Sequence, residues 1–290
     1  MVRDPAARLV ALSVLAIAAA ITGCSTTAPL PPRAVELNRL GAAALGSGDL
    51  PTAEARLALA IEYSPRFTEA WVNLGLLELR RGERGKARKD IAHARSLNPD
   101  LPAPHHAMGL VEEREGRTRQ AEASYRAALE VDPGFAPSRA NLGRLLFAGG
   151  RFEDAREQFL RLTEVAPEAL DGWLGLAESL ARLGRERDCD LTTGRARRRF
   201  GDRPEIVVLV ARQLLRRGAY GEAAEVLEPL ASQGDPRRRA EAWAWLGVAL
   251  LGEGDVDAAG RAAEQALALD AGDAVAAFVL GRARGAALAE

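Results

Sequence analysis

Few side chains in this sequence could do chemistry. The histidines are His93, His105 and His106, and the cysteines are Cys24 and Cys189. His105 and His106 are adjacent, so on a helix they point about 100° apart. His106 and Glu113 would share a helix face but lie roughly 10 Å apart along the axis, too far to hold one metal ion. Glu112 and Glu113 read as ordinary helix-surface acids with no acid–base partner. No glycine-rich phosphate loop, G-x-S-x-G elbow or H-E-x-x-H pair is present. The expectation is a chain that is not an enzyme: no catalytic residue, no metal, no cofactor and no small-molecule substrate.

The elements that would position any functional residue follow a strict period. Gly48, Gly82, Gly116, Gly150, Gly184 and Gly218 recur every 34 residues, and Gly254 follows after 36. Counting each unit from 14 residues before its glycine gives starts at Ala34, Thr68, Pro102, Ala136, Leu170, Pro204 and Ala240. Seven residues past each start is Gly41, Gly75, Gly109, Gly143, Ala177, Ala211 or Gly247, preceded by an apolar residue. Five residues past the periodic glycine is Ala53, Ala87, Ala121, Ala155, Cys189, Ala223 or Ala259. Apolar residues three or four apart in each half predict two helices per unit. The periodic glycine suits a left-handed residue after the first helix. Pro65, Pro99, Pro133 and Pro167 close the second, because proline cannot donate the next backbone bond. A fixed period of this length signals a stacked array.

The pattern resembles the tetratricopeptide repeat (TPR). Trp71-Val72-Asn73-Leu74-Gly75 and Trp243-Ala244-Trp245-Leu246-Gly247 carry W-x-x-L-G, with the downstream small residue in register. The resemblance covers residue 34 to about residue 287. It implies an all-α fold: a right-handed superhelical solenoid of about seven helix hairpins over 34–287, with a closing helix at 274–287. The fifth unit departs from the pattern at Cys189, Thr193 and Gly201. The two extra residues of the sixth fall near an Arg237-Arg238-Arg239 loop. Cys189, at a position that asks for a small buried residue, reads as a packed free thiol.

The first residues do not belong to this fold. Arg3 and Arg8 precede an uncharged run from Leu9 to Ile21, short for a bilayer span. Ile21-Thr22-Gly23-Cys24 resembles the bacterial lipobox, in which the cysteine is lipidated and becomes the first residue. The expected organisation is a lipoprotein signal peptide over 1–23, then lipidated Cys24 and a Pro-rich tether over 24–33. Ser25 after the cysteine implies, by the same resemblance, outer-membrane anchoring facing the periplasm. Several acyl chains anchor stably, at about 0.8 kcal/mol per buried methylene.

The chain holds 39 Lys and Arg against 40 Asp and Glu. Removing residues 1–23 takes away Arg3, Arg8 and Asp4, leaving 37 against 39. This balance argues against binding nucleic acid through bulk charge. Basic residues do cluster at Arg195–Arg203 and at Arg80–Lys89, and read as solvated faces or helix-end caps.

In the TPR family the first helices line a concave groove that holds a peptide or partner helix. Carried over, the groove positions are Asn38, Val72, Asn73, Leu76, Arg80, His106, Leu110, Arg114, Asn141, Arg144, Phe147, Arg212 and Trp245. Apolar anchors beside Asn and Arg suit a protein or peptide partner. Leu76, Phe147 and Trp245 suit repeat-to-repeat packing equally well. A lipobox followed by such an array is similar in architecture to the type IV pilus pilotin lipoproteins, which bring a secretin to the outer membrane. Two other readings stay open: an adaptor for a periplasmic protease or peptidoglycan enzyme, and an accessory lipoprotein of exopolysaccharide or protein export.

Overall fold

The computed structural model describes residues 29–287. The signal segment, Cys24 and the start of the tether lie outside the described residues. Among the described residues there are fifteen helices and no strand. They form two compact units that divide between Ala166 and Pro167.

The first unit contains four hairpins. These are α1 (Pro32–Ser47) with α2 (Leu50–Tyr63), α3 (Thr68–Arg81) with α4 (Arg84–Leu97), α5 (Pro102–Arg114) with α6 (Thr118–Val131), and α7 (Ala136–Ala148) with α8 (Phe152–Val165). The second unit contains α9 (Leu170–Arg182) with α10 (Glu186–Phe200), α11 (Pro204–Arg216) with α12 (Tyr220–Ser232), and α13 (Pro236–Glu253) with α14 (Val256–Leu269). A single helix, α15 (Ala274–Ala287), follows.

The period of the sequence comes from one repeated turn. After each first helix the chain passes through a glycine of positive φ, such as Gly48 at 86° and Gly82 at 85°. The amide beyond it then bonds back to a carbonyl five residues earlier: Asp49 to Ala44 at 3.0 Å, Glu83 to Glu78 at 2.9 Å, Arg117 to Glu112 at 2.8 Å. A side chain at the glycine would make that left-handed turn costly.

A second glycine sets the distance between the two helices of a hairpin. A Cβ on Gly75 would lie 2.5 Å from Ile91, one on Gly109 2.5 Å from the Tyr125 ring, and one on Gly143 2.9 Å from Phe159. In the hairpins of the first unit the second helix thus drops a large apolar side chain onto bare backbone, and Tyr125 is fully buried there. The small residue four positions earlier is also buried in every hairpin, Cys189 included.

The loops between hairpins have their own tie. The Trp71 indole donates to the Pro65 carbonyl at 2.8 Å and Trp173 to Pro167 at 2.9 Å. His105 bonds Pro99 at 2.8 Å and Arg139 donates to Pro133 at 3.1 Å. Four residues of three types at one repeat position therefore share one job: an N–H that satisfies a loop carbonyl. The sixth repeat has Val207 there and no such donor, and the seventh loses the loop itself. Pro236 opens α13 instead of closing a loop, a role proline fills well at the first helical position. The Arg237–Arg239 segment is therefore helix rather than loop, α13 begins four residues before Ala240, and the buried Trp243 Nε1 has no partner. At the other end, α1 begins two residues before Ala34, so Pro32 and Arg33 of the expected tether are helical.

Gly109→Ala should destabilise the protein by about 1 to 3 kcal/mol despite the better helix propensity of alanine, because the added methyl meets the Tyr125 ring. Urea denaturation followed by circular dichroism would measure it.

Candidate partner-binding face

The first helices of successive hairpins pack on one another, and that packing uses many of the residues a groove would need. Val72, Asn73, Leu76, His106, Leu110 and Asn141 are all buried. Val72, Leu76 and Leu110 are therefore repeat-to-repeat packing residues, not groove-surface anchors. The reason is geometric: glycine-set hairpins bring neighbouring first helices close enough to enclose any side chain that points along the stack.

The polar members are tied inside this layer. Asn73 Nδ2 donates to Asn38 Oδ1 of the preceding repeat at 2.8 Å, and Asn73 Oδ1 is buried without a partner. Arg80 reaches back to the Leu45 carbonyl, capping the end of α1. The His106 Nδ1 shares a hydrogen bond with Ser138 Oγ at 3.0 Å, and the ring packs between Tyr125 and Phe135. His106 was expected to face the groove; instead, burial and then the nearby Arg144 charge hold its pKa down to about 3, so it is neutral. Its neighbour Tyr125 donates to the Glu113 carboxylate, Asn141 Nδ2 donates to the Tyr125 hydroxyl at 3.4 Å, and Arg144 donates to Asn141 Oδ1.

The other positions keep solvent-accessible surface. Arg80 is exposed, while Asn38, Arg114, Arg144, Phe147, Arg212 and Trp245 are half-buried. Phe147 stacks edge-on against Phe152 with centroids 5.2 Å apart. In the second unit three consecutive first helices build one continuous row. Glu178 of α9 accepts from Arg212 of α11, and that guanidinium lies 5.1 Å from the ring centre of Trp245 on α13. Such a row offers a charge-assisted donor, an acceptor and an aromatic face within one reach, with the arginine fixed by stacking.

Two buried acids escaped the reading of the sequence. Glu78 and Glu112 occupy the repeat position held by Leu146, Leu180 and Leu214 in later units. Aligning the units would have singled them out, since an acid where leucine recurs points inward. Glu112 was expected to be a surface acid but is buried, accepting from Ser124 Oγ at 2.7 Å with Arg88 3.8 Å away. Glu78 is buried, and one of its carboxylate oxygens has no partner. Burial first, and then the Asp90 carboxylate, raise the Glu78 pKa to about 7, with Glu83 adding to the rise and Lys86 opposing it. Cys189 is a buried free thiol that donates to the Ala177 carbonyl at 3.2 Å and accepts from Gln213 Nε2 at 2.9 Å. In the basic cluster, Arg197 pairs with Asp202 at 2.5 Å and Arg203 stacks on Phe200 at 5.8 Å. Among the described residues no group of three or more His, Cys, Asp or Glu is placed to hold a metal ion.

Family models of the tetratricopeptide repeat match residues 38–102, 114–176 and 210–274. The chain belongs to the tetratricopeptide repeat family. Its fold class is the all-α repeat solenoid of that family, one that ordinarily serves as a non-catalytic protein-interaction scaffold. Solved structures agree. A tetratricopeptide repeat protein from Parabacteroides merdae superposes with a TM-score of 0.64 at 18% identity, over 88% of this chain and 100% of that one. The structure titled for the functional characterisation of Pseudomonas aeruginosa pilF gives 0.60 at 21%, over 74% and 97%. The Cut9–Hcn1 hetero-tetramer of the APC/C gives 0.68 at 14%, over 88% of this chain and 49% of that one. At these identities the likeness is one of fold. No curated protein matches the chain.

The Glu78 carboxyl has a folded pKa of about 7 against an ordinary 4.5. A raised acid contributes its stability below pH 4.5 and loses it as pH rises through 7. Glu78→Gln should therefore be about 1 to 2 kcal/mol more stable than the parent at pH 8 and indistinguishable from it at pH 4. Melts across this pH range would check it.

Proposed function

We propose that this chain is a non-enzymatic scaffold, anchored by lipid at Cys24 to the outer membrane, that binds a protein partner on the open side of its first helices. The partner belongs to an assembling envelope machine, with a type IV pilus secretin as the first candidate. The observation that carries the binding surface is the Glu178–Arg212–Trp245 row. Three repeats contribute one side chain each, and all three keep accessible surface, although Trp245 also packs against the core of its unit. Arginine and tryptophan are the residues most often found carrying the energy of protein interfaces. The lipid anchor rests on the Ile21-Thr22-Gly23-Cys24 sequence. The pilus assignment rests on the combination of that leader with a repeat array, an architecture shared with pilotin lipoproteins.

Arg212→Glu should lower partner capture at least tenfold while the helical circular-dichroism signal and the melting temperature stay near those of the parent. A photo-cross-linker placed in cells at Arg182, exposed one turn after Glu178 on α9, with the captured proteins identified by mass spectrometry, reads this out. Recovery of a secretin or pilus subunit supports the pilus role. Recovery of a protease or peptidoglycan enzyme moves the chain to the adaptor class. Cys24→Ala should abolish fatty-acid labelling and release the protein from the membrane fraction; unchanged labelling and fractionation would sink the anchor.

A further inference from the structure

The outward charges of the second unit are sorted by helix. On α10, Arg187, Leu191, Arg195, Arg198 and Arg199 share an arc of about 120°. All five are exposed, Leu191 by 62%. Asp188 is the one acid within that arc. The next second helix, α12, carries the opposite sign. Glu222, Glu225 and Glu228 are exposed over an arc of about 120°, and α12 contains no Lys, Arg or His. The two arcs coincide in the repeat: Leu191 and Glu225 lie one period of 34 apart, as do Asp188 and Glu222.

None of these charges is neutralised within the chain. The four arginines and the three glutamates form no ion pair and no side-chain hydrogen bond among the described residues. Other charges of the same unit do find partners: Arg197 pairs with Asp202, Arg217 with Asp190 and Arg238 with Glu205. Two unneutralised ridges of opposite sign, on successive second helices, are complementary to a surface that carries the same two ridges in reverse order.

We propose that this surface pairs with a second copy of the chain about a two-fold axis parallel to α10 and α12. That symmetry lays α10 of each copy on α12 of the other, so the same contact is made twice. By repeat position it sets Arg187 against Glu222 and Arg195 against Glu228, each within one residue step of about 1.5 Å along the helix. Leu191 and the arginine stems supply the apolar area of the contact. A two-fold axis across the helices would lay arginine on arginine and is opposed by like-charge repulsion. A flat anionic surface, such as a layer of phospholipid headgroups, attracts α10 but is repelled by the three glutamates on the next helix. The contact uses second helices only. It leaves the Glu178–Arg212–Trp245 row of the first helices free and does not depend on the lipid anchor.

Sedimentation equilibrium of the full-length protein in density-matched detergent tests the contact. A monomer–dimer equilibrium is expected at about 50 mM salt, weakened at least tenfold at about 0.5 M salt. Reversing the basic ridge (Arg195→Glu with Arg198→Glu) should weaken self-association at least tenfold, and so should reversing the acidic one (Glu225→Arg with Glu228→Arg). Mixed in equal amounts, the two variants should form a one-to-one heterodimer, because each acidic ridge then meets a basic one. The changed side chains are all exposed, so both variants should melt within a few degrees of the parent. A parent that stays monomeric up to about 0.2 mM at low salt overturns the proposal. So does a dimer that either reversal leaves intact, or a mixture of the two variants that stays monomeric. A monomeric Cys24→Ala protein that floats with phosphatidylglycerol vesicles only while the basic ridge is intact also overturns it, and gives the ridge to a membrane surface.

Discussion

Contact between a bare glycine on the first helix and a large side chain on the second is the interaction on which the rest of the molecule depends. At Gly75, Gly109 and Gly143 it leaves no room for even a methyl group. The hairpin is therefore narrow, the buried alanine of the second helix can approach as closely, and the next first helix finds a flat surface to pack against. Stability in such an array is close to a sum of hairpins and their neighbour interfaces. Because the contact is remade in each hairpin of the first unit and a small residue holds its place in the second, small departures stay local.

Close stacking decides what is left for recognition. Side chains that point along the stack, such as Leu76 and Leu110, are enclosed by their neighbours. Long side chains can still reach past the enclosing layer. Arg80, Arg144 and Arg212 each bond a neighbour while keeping accessible surface. This also explains the buried polar groups. Glu78 and His106 stay inside because the layer closes over them, and each shifts toward its neutral form instead of carrying an unpaired charge.

The second unit shows how far the pattern bends without breaking. Cys189 replaces the buried alanine of its hairpin and gains Gln213 as a partner. The lengthened α13 removes the loop carbonyl that Trp71 and Trp173 bond in their own repeats, so Trp243 keeps its packing but loses its hydrogen bond. At the end of the unit, α15 covers the preceding hairpin with one side.

By itself the sequence determined the periodic part of the protein. The recurring glycine marked the positive-φ turn inside every hairpin, though not Gly201 and Gly234 between hairpins, and the starts at Thr68, Pro102, Ala136, Leu170 and Pro204 coincide with observed helix starts. These features are legible because turn chemistry and helix periodicity act between residues close in the chain. The structure alone decided which inner-face residues a partner could touch. His106 and Arg144 look equally suited to a groove in the sequence, yet one is sealed between Tyr125 and Phe135 while the other reaches solvent. Burial of this kind depends on which neighbouring helix, a full repeat away, closes over a residue, and one-chain spacing carries no record of that distance.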